Sequence, residues 1–158
     1  MEEISEIVVD AFRSFRDTFC QSRHTWTVEK DICYDSLRKL DERLERSDGV
    51  RAKALDRLAE NMIDFIEKRI RHLMREEFDT IRKQEHPPSK KVENFRKHIA
   101  FYDECYRQSV SEIERFDHEH PLHPVSDETL YHARSGYAHF GTLAMTYRDM
   151  LVPEWAGE

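Results

Sequence analysis

Apolar residues recur at three- and four-residue intervals along nearly the whole chain, the spacing that lines one face of an α-helix. A first segment repeats at Ile4, Val8, Phe12, Phe15 and Phe19. A second carries Ile32, Leu37, Leu40 and Leu44. Thr27 is its candidate N-cap, with Glu29 and Asp31 in the first turn, where carboxylates suit the helix dipole. Ser47-Asp48-Gly49 is expected to close it, with Gly49 as a left-handed cap. The third segment runs from about residue 50 to 85 with Leu55, Leu58, Met62, Ile66, Leu73, Phe78 and Ile81. His86-Pro87-Pro88 should end it, because proline restricts the residue before it and has no N–H to donate. Its length suggests a bend near residues 69–71, or a projection that meets a second subunit. Ser89 can cap a fourth segment, with Val92, Phe95, Ile99, Tyr102, Tyr106, Val110, Ile113 and Phe116. A loop is expected from His118 to Val125. Ser126, followed by Asp127 and Glu128, then opens a last helix striped by Leu130, Ala133, Tyr137, Phe140, Ala144, Tyr147 and Leu151. Pro153 should stop it, and Trp155 should dock back on the domain.

Composition supports this pattern. Four Gly and five Pro among 158 residues are too few for the frequent turns of a β-sandwich. Hydrophobic residues make up 39% and aromatics 11%, too many for a disordered chain. The expected fold is all-α: a single domain over residues 1–158, built as an antiparallel bundle of four to five helices. No uncharged run approaches the roughly 18 residues of a membrane helix, so no membrane partner is expected. The net charge of −7 gives no bulk attraction to nucleic acid and leaves only local basic patches for that role. Cys20, Cys33 and Cys105 are odd in number, far apart and without a CxxC pair. Together with the acidic residues 1–6, they point to reduced thiols and a cytoplasmic location.

The segment with the most chemistry is Arg134-Ser135-Gly136-Tyr137-Ala138-His139. A guanidinium is a permanent cation whose planar fork fits a phosphate, and an imidazole moves protons near neutral pH. The two are a minimal kit for cleaving RNA without a metal or other cofactor. An Arg, four residues and a His, with Ala138 before the His and a late position in a helical chain, resembles the HEPN superfamily. Many members of that superfamily are ribonucleases in toxin–antitoxin and other defence systems. Asn is usual after the Arg there, and this chain has Ser135. The resemblance implies a homodimer with its cleft at the two-fold axis, and a protein inhibitor as a further partner. Arg134 would neutralise the scissile phosphate and His139 would act as general acid/base. Ser135, with Tyr137, would orient them. Residues five apart on a regular helix lie about 140° apart, so sharing one phosphate needs a loosened turn at Gly136 or a dimer cleft.

Other groups compete for a role. Lys68, Arg71, Arg75 and Arg82 fall on one face of the third helix, and Lys90 and Lys91 sit at a helix start where the dipole disfavours cations. These are the candidate RNA contacts. The plain reading of the first set is i,i+4 pairing of Asp64 with Lys68, Glu67 with Arg71 and Arg75 with Asp79. His118, His120 and His123, beside Asp117 and Glu119, form a candidate metal loop without a recognised zinc spacing. His72, Glu76, His98 and Asp103 resemble part of a hemerythrin-like di-iron set, with Asn94 where a ligand should stand. The main expectation is an HEPN-like RNA-binding protein or metal-independent ribonuclease. The alternative is a non-enzymatic helical interaction module. In the alternative, Arg134 and His139 point apart, and His139 is exposed or tied to Glu128 or Asp149.

Overall fold

A computed structural model describes residues 3–22, 30–84 and 89–155. Five helices account for the described elements: α1 (Ile4–Ser22), α2 (Ile32–Arg43), α3 (Asp48–Arg82), α4 (Ser89–Glu119) and α5 (Asp127–Trp155). They pack on one another as an all-α bundle. The core takes the stripes read from the sequence. Phe15, Leu37, Leu40, Leu55, Leu58, Met62, Ile66, Tyr106 and Phe140 are all buried. Phe12, Phe15 and Phe19 of α1 turn their rings onto Phe65 of α3, edge to face with centroids 5.8–6.3 Å apart. A smaller apolar cluster of Phe78, Ile81 and Phe95, with Tyr147 against it, closes the far end. None of the helices is long and apolar enough to cross a membrane among the described residues.

Several element boundaries differ from the sequence expectation. Ser47-Asp48-Gly49 does not stop α2. Ser47 is the extended N-cap of α3, and Asp48 and Gly49 lie in its first turn. α2 ends earlier, at Arg43, where Leu44 turns to extended backbone and is itself buried. The cap expected at Gly49 is Leu44, whose own N–H donates to the Leu40 and Asp41 carbonyls, and Arg51 Nη2 donates to the Leu44 carbonyl at 2.6 Å. α3 is one uninterrupted helix of 35 residues and passes through residues 69–71 without a break. His118 and Glu119 belong to the last turn of α4, not to the following loop. Pro153 does not end α5, which runs on to Trp155. Thr27, the Pro87-Pro88 stop and the side chain of Trp155 lie outside the described residues.

The start of α2 is held in an unforeseen way. Asp31 precedes it with a left-handed backbone, φ 68°, and makes no side-chain cap. The free amides are met from α4 instead. Cys33 N–H donates to Oε1 of buried Glu112 at 2.8 Å, and Tyr34 N–H donates to the same oxygen at 3.3 Å. The carboxylate thus replaces a local N-cap and complements the positive end of the helix dipole. At the start of α5 the expected cap is present, since Thr129 N–H donates to Ser126 Oγ at 3.2 Å. Asp56 of α3 adds to it by accepting Ser126 N–H at 2.8 Å.

Candidate functional site

α5 lies in the groove between α3 and α4. Contacts 64–132, 71–139 and 78–147 rise together, so α3 and α5 run parallel. Contacts 95–147, 106–133 and 114–134 run oppositely, so α4 and α5 are antiparallel. Leu130, Ala133, Gly136 and Phe140 face the core. Gly136 stays in regular helix and does not loosen the turn. Its missing side chain makes room for Tyr106, because a Cβ there would overlap the Tyr106 hydroxyl and ring. The hydroxyl uses that space to donate to the Ala133 carbonyl at 2.7 Å. Burial and the carboxylates of Glu67 and Asp64 push the Tyr106 phenol well above its usual range.

Arg134 and His139 leave α5 on opposite flanks, as the angle between positions five apart requires. Arg134 turns toward α4 and donates from Nε to Glu114 Oε1 at 3.2 Å. That carboxylate holds the exposed guanidinium firmly charged and raises its pKa. His139 is also exposed but turns toward α3, where its Nε2 meets Nη2 of Arg71. Arginine has no acceptor, so in this contact the guanidinium can act only as the donor. Neither Glu128 nor Asp149 is the partner observed at His139. Ser135 Oγ donates to the Tyr131 carbonyl at 2.9 Å, along its own helix. Tyr137 lies under the Arg107 guanidinium, 4.5 Å from it. The single-chain fold therefore brings an Arg to His139, but it is Arg71 and not Arg134.

Charge changes sign along the α3/α5 seam. Its first half is acidic: Asp56, Glu60, Asp64 and Glu128 line an open cleft of about 560 Å³ together with His132 and Ser135. Asp64 is not paired with Lys68 as its spacing suggests. It faces His132, with Oδ1 3.6 Å from Nε2. Glu67 Oε2 stands 3.8 Å from the same nitrogen, while Glu67 Oε1 accepts from Arg71 Nη2 at 2.7 Å. Beyond this point the seam is basic, with Arg71 at His139 and Arg75 one turn further, 4.0 Å from Asp79. Lys68 is exposed a turn below Arg71, and Lys90 and Lys91 are exposed in the first turns of α4.

The other candidates are occupied elsewhere. His72 pairs with Glu76 at 3.1 Å, His98 with Glu77 at 2.5 Å, and Asp103 with Arg107 at 3.0 Å. His123 lies 3.5 Å from Asp117, and His120 lies 3.6 Å from Asp41 on α2. The rings of His118 and His123 are 6.4 Å apart. Among the described residues, Asp64, Glu67 and His132 are the one group of three potential metal ligands whose donor atoms all lie within 4.8 Å of one another. Sequence reading did not single out this group. The i,i+3 spacing of Asp64 and Glu67 was visible, but their meeting with His132 depends on the register of α3 against α5. Comparison of the chain with protein-family models, curated proteins and solved structures gives no match.

Proposed function

We propose that this protein binds RNA along the basic half of the α3/α5 seam and cleaves it without a metal, with His139 and Arg71 as the reacting pair. The observation that carries this reading is the contact between the Arg71 guanidinium and His139 Nε2 on an exposed surface. In the reaction, the Arg71 guanidinium turns from Nε2 onto the phosphate, and the freed Nε2 lone pair removes the proton of a 2′-hydroxyl. That oxygen attacks the adjacent phosphorus, the bond to the 5′-oxygen breaks, and a 2′,3′-cyclic phosphate results. The 5′-oxygen takes its proton from an imidazolium or from water. Arg71, fixed by Glu67, stabilises the charge that builds on the phosphate oxygens. Lys68 and Arg75, a turn to either side, supply contacts for neighbouring phosphates. Arg134 serves the surface of α4 in this account.

The test is cleavage of a mixed-sequence RNA in excess EDTA by wild type, His139→Ala, Arg71→Ala and Arg134→Ala. Loss in the first two variants, with Arg134→Ala active, supports the pair. Loss in Arg134→Ala with Arg71→Ala active moves the site to an Arg134–His139 cleft shared between two chains. Inactivity of the wild type rejects the ribonuclease.

A second reading is favoured by the pairing of Arg134 with Glu114 and by the outer face of α5. That face carries Tyr131, 75% exposed, and Met145, 56% exposed, with exposed Ala138 between them. From Ser135 to Tyr147 the helix has no acidic residue, Lys or Arg. In this reading the protein is a non-enzymatic helical module that meets a second copy of itself. A chain of net charge −7 meets its like with least repulsion through an uncharged face. Light scattering on wild type and Met145→Glu checks it: a wild-type dimer that the variant abolishes supports the module, and a monomeric wild type rejects it.

A further inference from the structure

We infer that Asp64 and Glu67 of α3 and His132 of α5 form a site for one divalent transition-metal cation of the zinc type. The donors come from two helices that are already packed together, so little chain has to be ordered on binding. Asp64 and Glu67 are three residues apart on one helix and present their carboxylates on the same side. His132 projects between them from the parallel helix.

The distances favour a cation over direct pairing. His132 Nε2 is 3.6 Å from Asp64 Oδ1 and 3.8 Å from Glu67 Oε2. Both separations exceed the roughly 3.2 Å limit of a good N–H···O bond, so the imidazole is hydrogen-bonded to neither oxygen. Ligands bound at about 2.0–2.2 Å around a tetrahedral ion stand about 3.3–3.6 Å apart; the two distances from His132 are close to this, and all three donor atoms lie within 4.8 Å of one another. Small side-chain rotations would close the set on an ion.

The surroundings agree. Asp56, Glu60 and Glu128 line the same cleft and make it a negative well for a cation. Glu67 has its second oxygen on Arg71, which fixes the carboxylate in place as bonded neighbours of metal ligands commonly do. An imidazole with two carboxylates is a donor set for zinc, cobalt, nickel or manganese, whereas magnesium prefers oxygen alone. Three protein ligands leave a further position open to the cleft. The cation would tie α3 to α5 directly beside the Arg71–His139 pair. Binding at this site does not depend on the ribonuclease reading.

The experiment is a titration of the full chain, stripped with EDTA and exchanged into metal-free buffer, with cobalt(II) and then zinc. The expected result is a visible cobalt band that saturates at one equivalent and is displaced by zinc. His132→Ala and Asp64→Asn should each lose the band and weaken binding by about tenfold or more. Both should retain wild-type helical circular dichroism, since the residues replaced are largely exposed. The triple variant His118→Ala/His120→Ala/His123→Ala should keep the band. No saturable band in the wild type would overturn the site, as would an unchanged band in both ligand variants or a band lost only in the triple variant.

Discussion

Arg134 donates to Glu114 across the α4/α5 seam at 3.2 Å, on the flank of α5 opposite His139. The arginine next in sequence to the histidine is thus committed elsewhere, and an arginine 68 residues away takes its place. The two arginines should separate in kinetics. Arg71→Ala should lower RNA cleavage by about 10²–10³-fold, as loss of a charge-stabilising donor does. His139→Ala should lower it by about 10²–10⁴-fold through loss of proton transfer. Arg134→Ala should leave both cleavage rate and thermal midpoint close to wild type, because its ion pair with Glu114 lies at the surface. Single-turnover rates on one labelled RNA give all three numbers.

Glu112 should be a stability residue. Glu112→Ala leaves the buried N–H of Cys33 and its neighbour Tyr34 without an acceptor. The short Cys33 bond to the carboxylate is worth about 1.5–3 kcal/mol and the longer Tyr34 bond about 0.5–1, so a loss of about 2–4 kcal/mol is expected. Glu112→Gln keeps an acceptor oxygen and should lose less. Urea unfolding followed by circular dichroism measures both.

Gly136→Ala should destabilise the protein although alanine is the better helix former. The helix-propensity gain is about 1 kcal/mol. Against it stands the overlap of the new methyl with the Tyr106 hydroxyl and ring, which are buried and held by the Ala133 carbonyl. Overpacking of this kind costs about 1–3 kcal/mol, so the net sign is a loss. Gly141→Ala is the control, since no atom lies within 4 Å of its added Cβ. That variant should be neutral or stabilised in the same melts.

The buried Cys33 thiol and the half-buried Cys105 thiol predict an alkaline limit. Burial, with the Glu112 carboxylate adding to it, pushes Cys105 up to about 12 and Cys33 well above its ordinary value. Below pH 9 both folded and unfolded chains keep these protons, so stability does not depend on them there. Between about pH 9 and 12 the unfolded chain releases the Cys105 proton and the folded chain does not, so stability falls as pH rises. Urea midpoints at pH 8 and pH 10 should show the fall, and Cys105→Ala should reduce it. At pH 8 iodoacetamide should label native Cys33 and Cys105 far more slowly than the urea-unfolded protein, as mass spectrometry of the labelled peptides can show.

The helices were legible because their apolar stripes are long and regular. Phe95, Tyr102, Tyr106, Val110 and Ile113 sit at helical spacing in the sequence and are buried in the fold. Ser47-Asp48-Gly49 misled because the same residue types start and stop helices. Here they start one: Leu44 turns the chain out of α2, and Ser47 caps α3. The site was less legible. Sequence spacing shows that Arg134 and His139 diverge, but which side chains they then meet depends on how far α3 and α4 slide along α5. Asp64 shows this most plainly: its helix offers Lys68 one turn away, yet it faces His132.

The buried carboxylate at the start of α2 also orders events in time. The amide of Cys33 waits for an acceptor that lies 79 residues further along the chain. In a nascent polypeptide that has emerged only through α3, water is the acceptor left for this amide. Closing so long a loop carries an entropic cost that only the docking of α4 repays. The start of α2 is thereby tied to α4, and the amides of Cys33 and Tyr34 should gain protection from hydrogen exchange together with α4 during refolding.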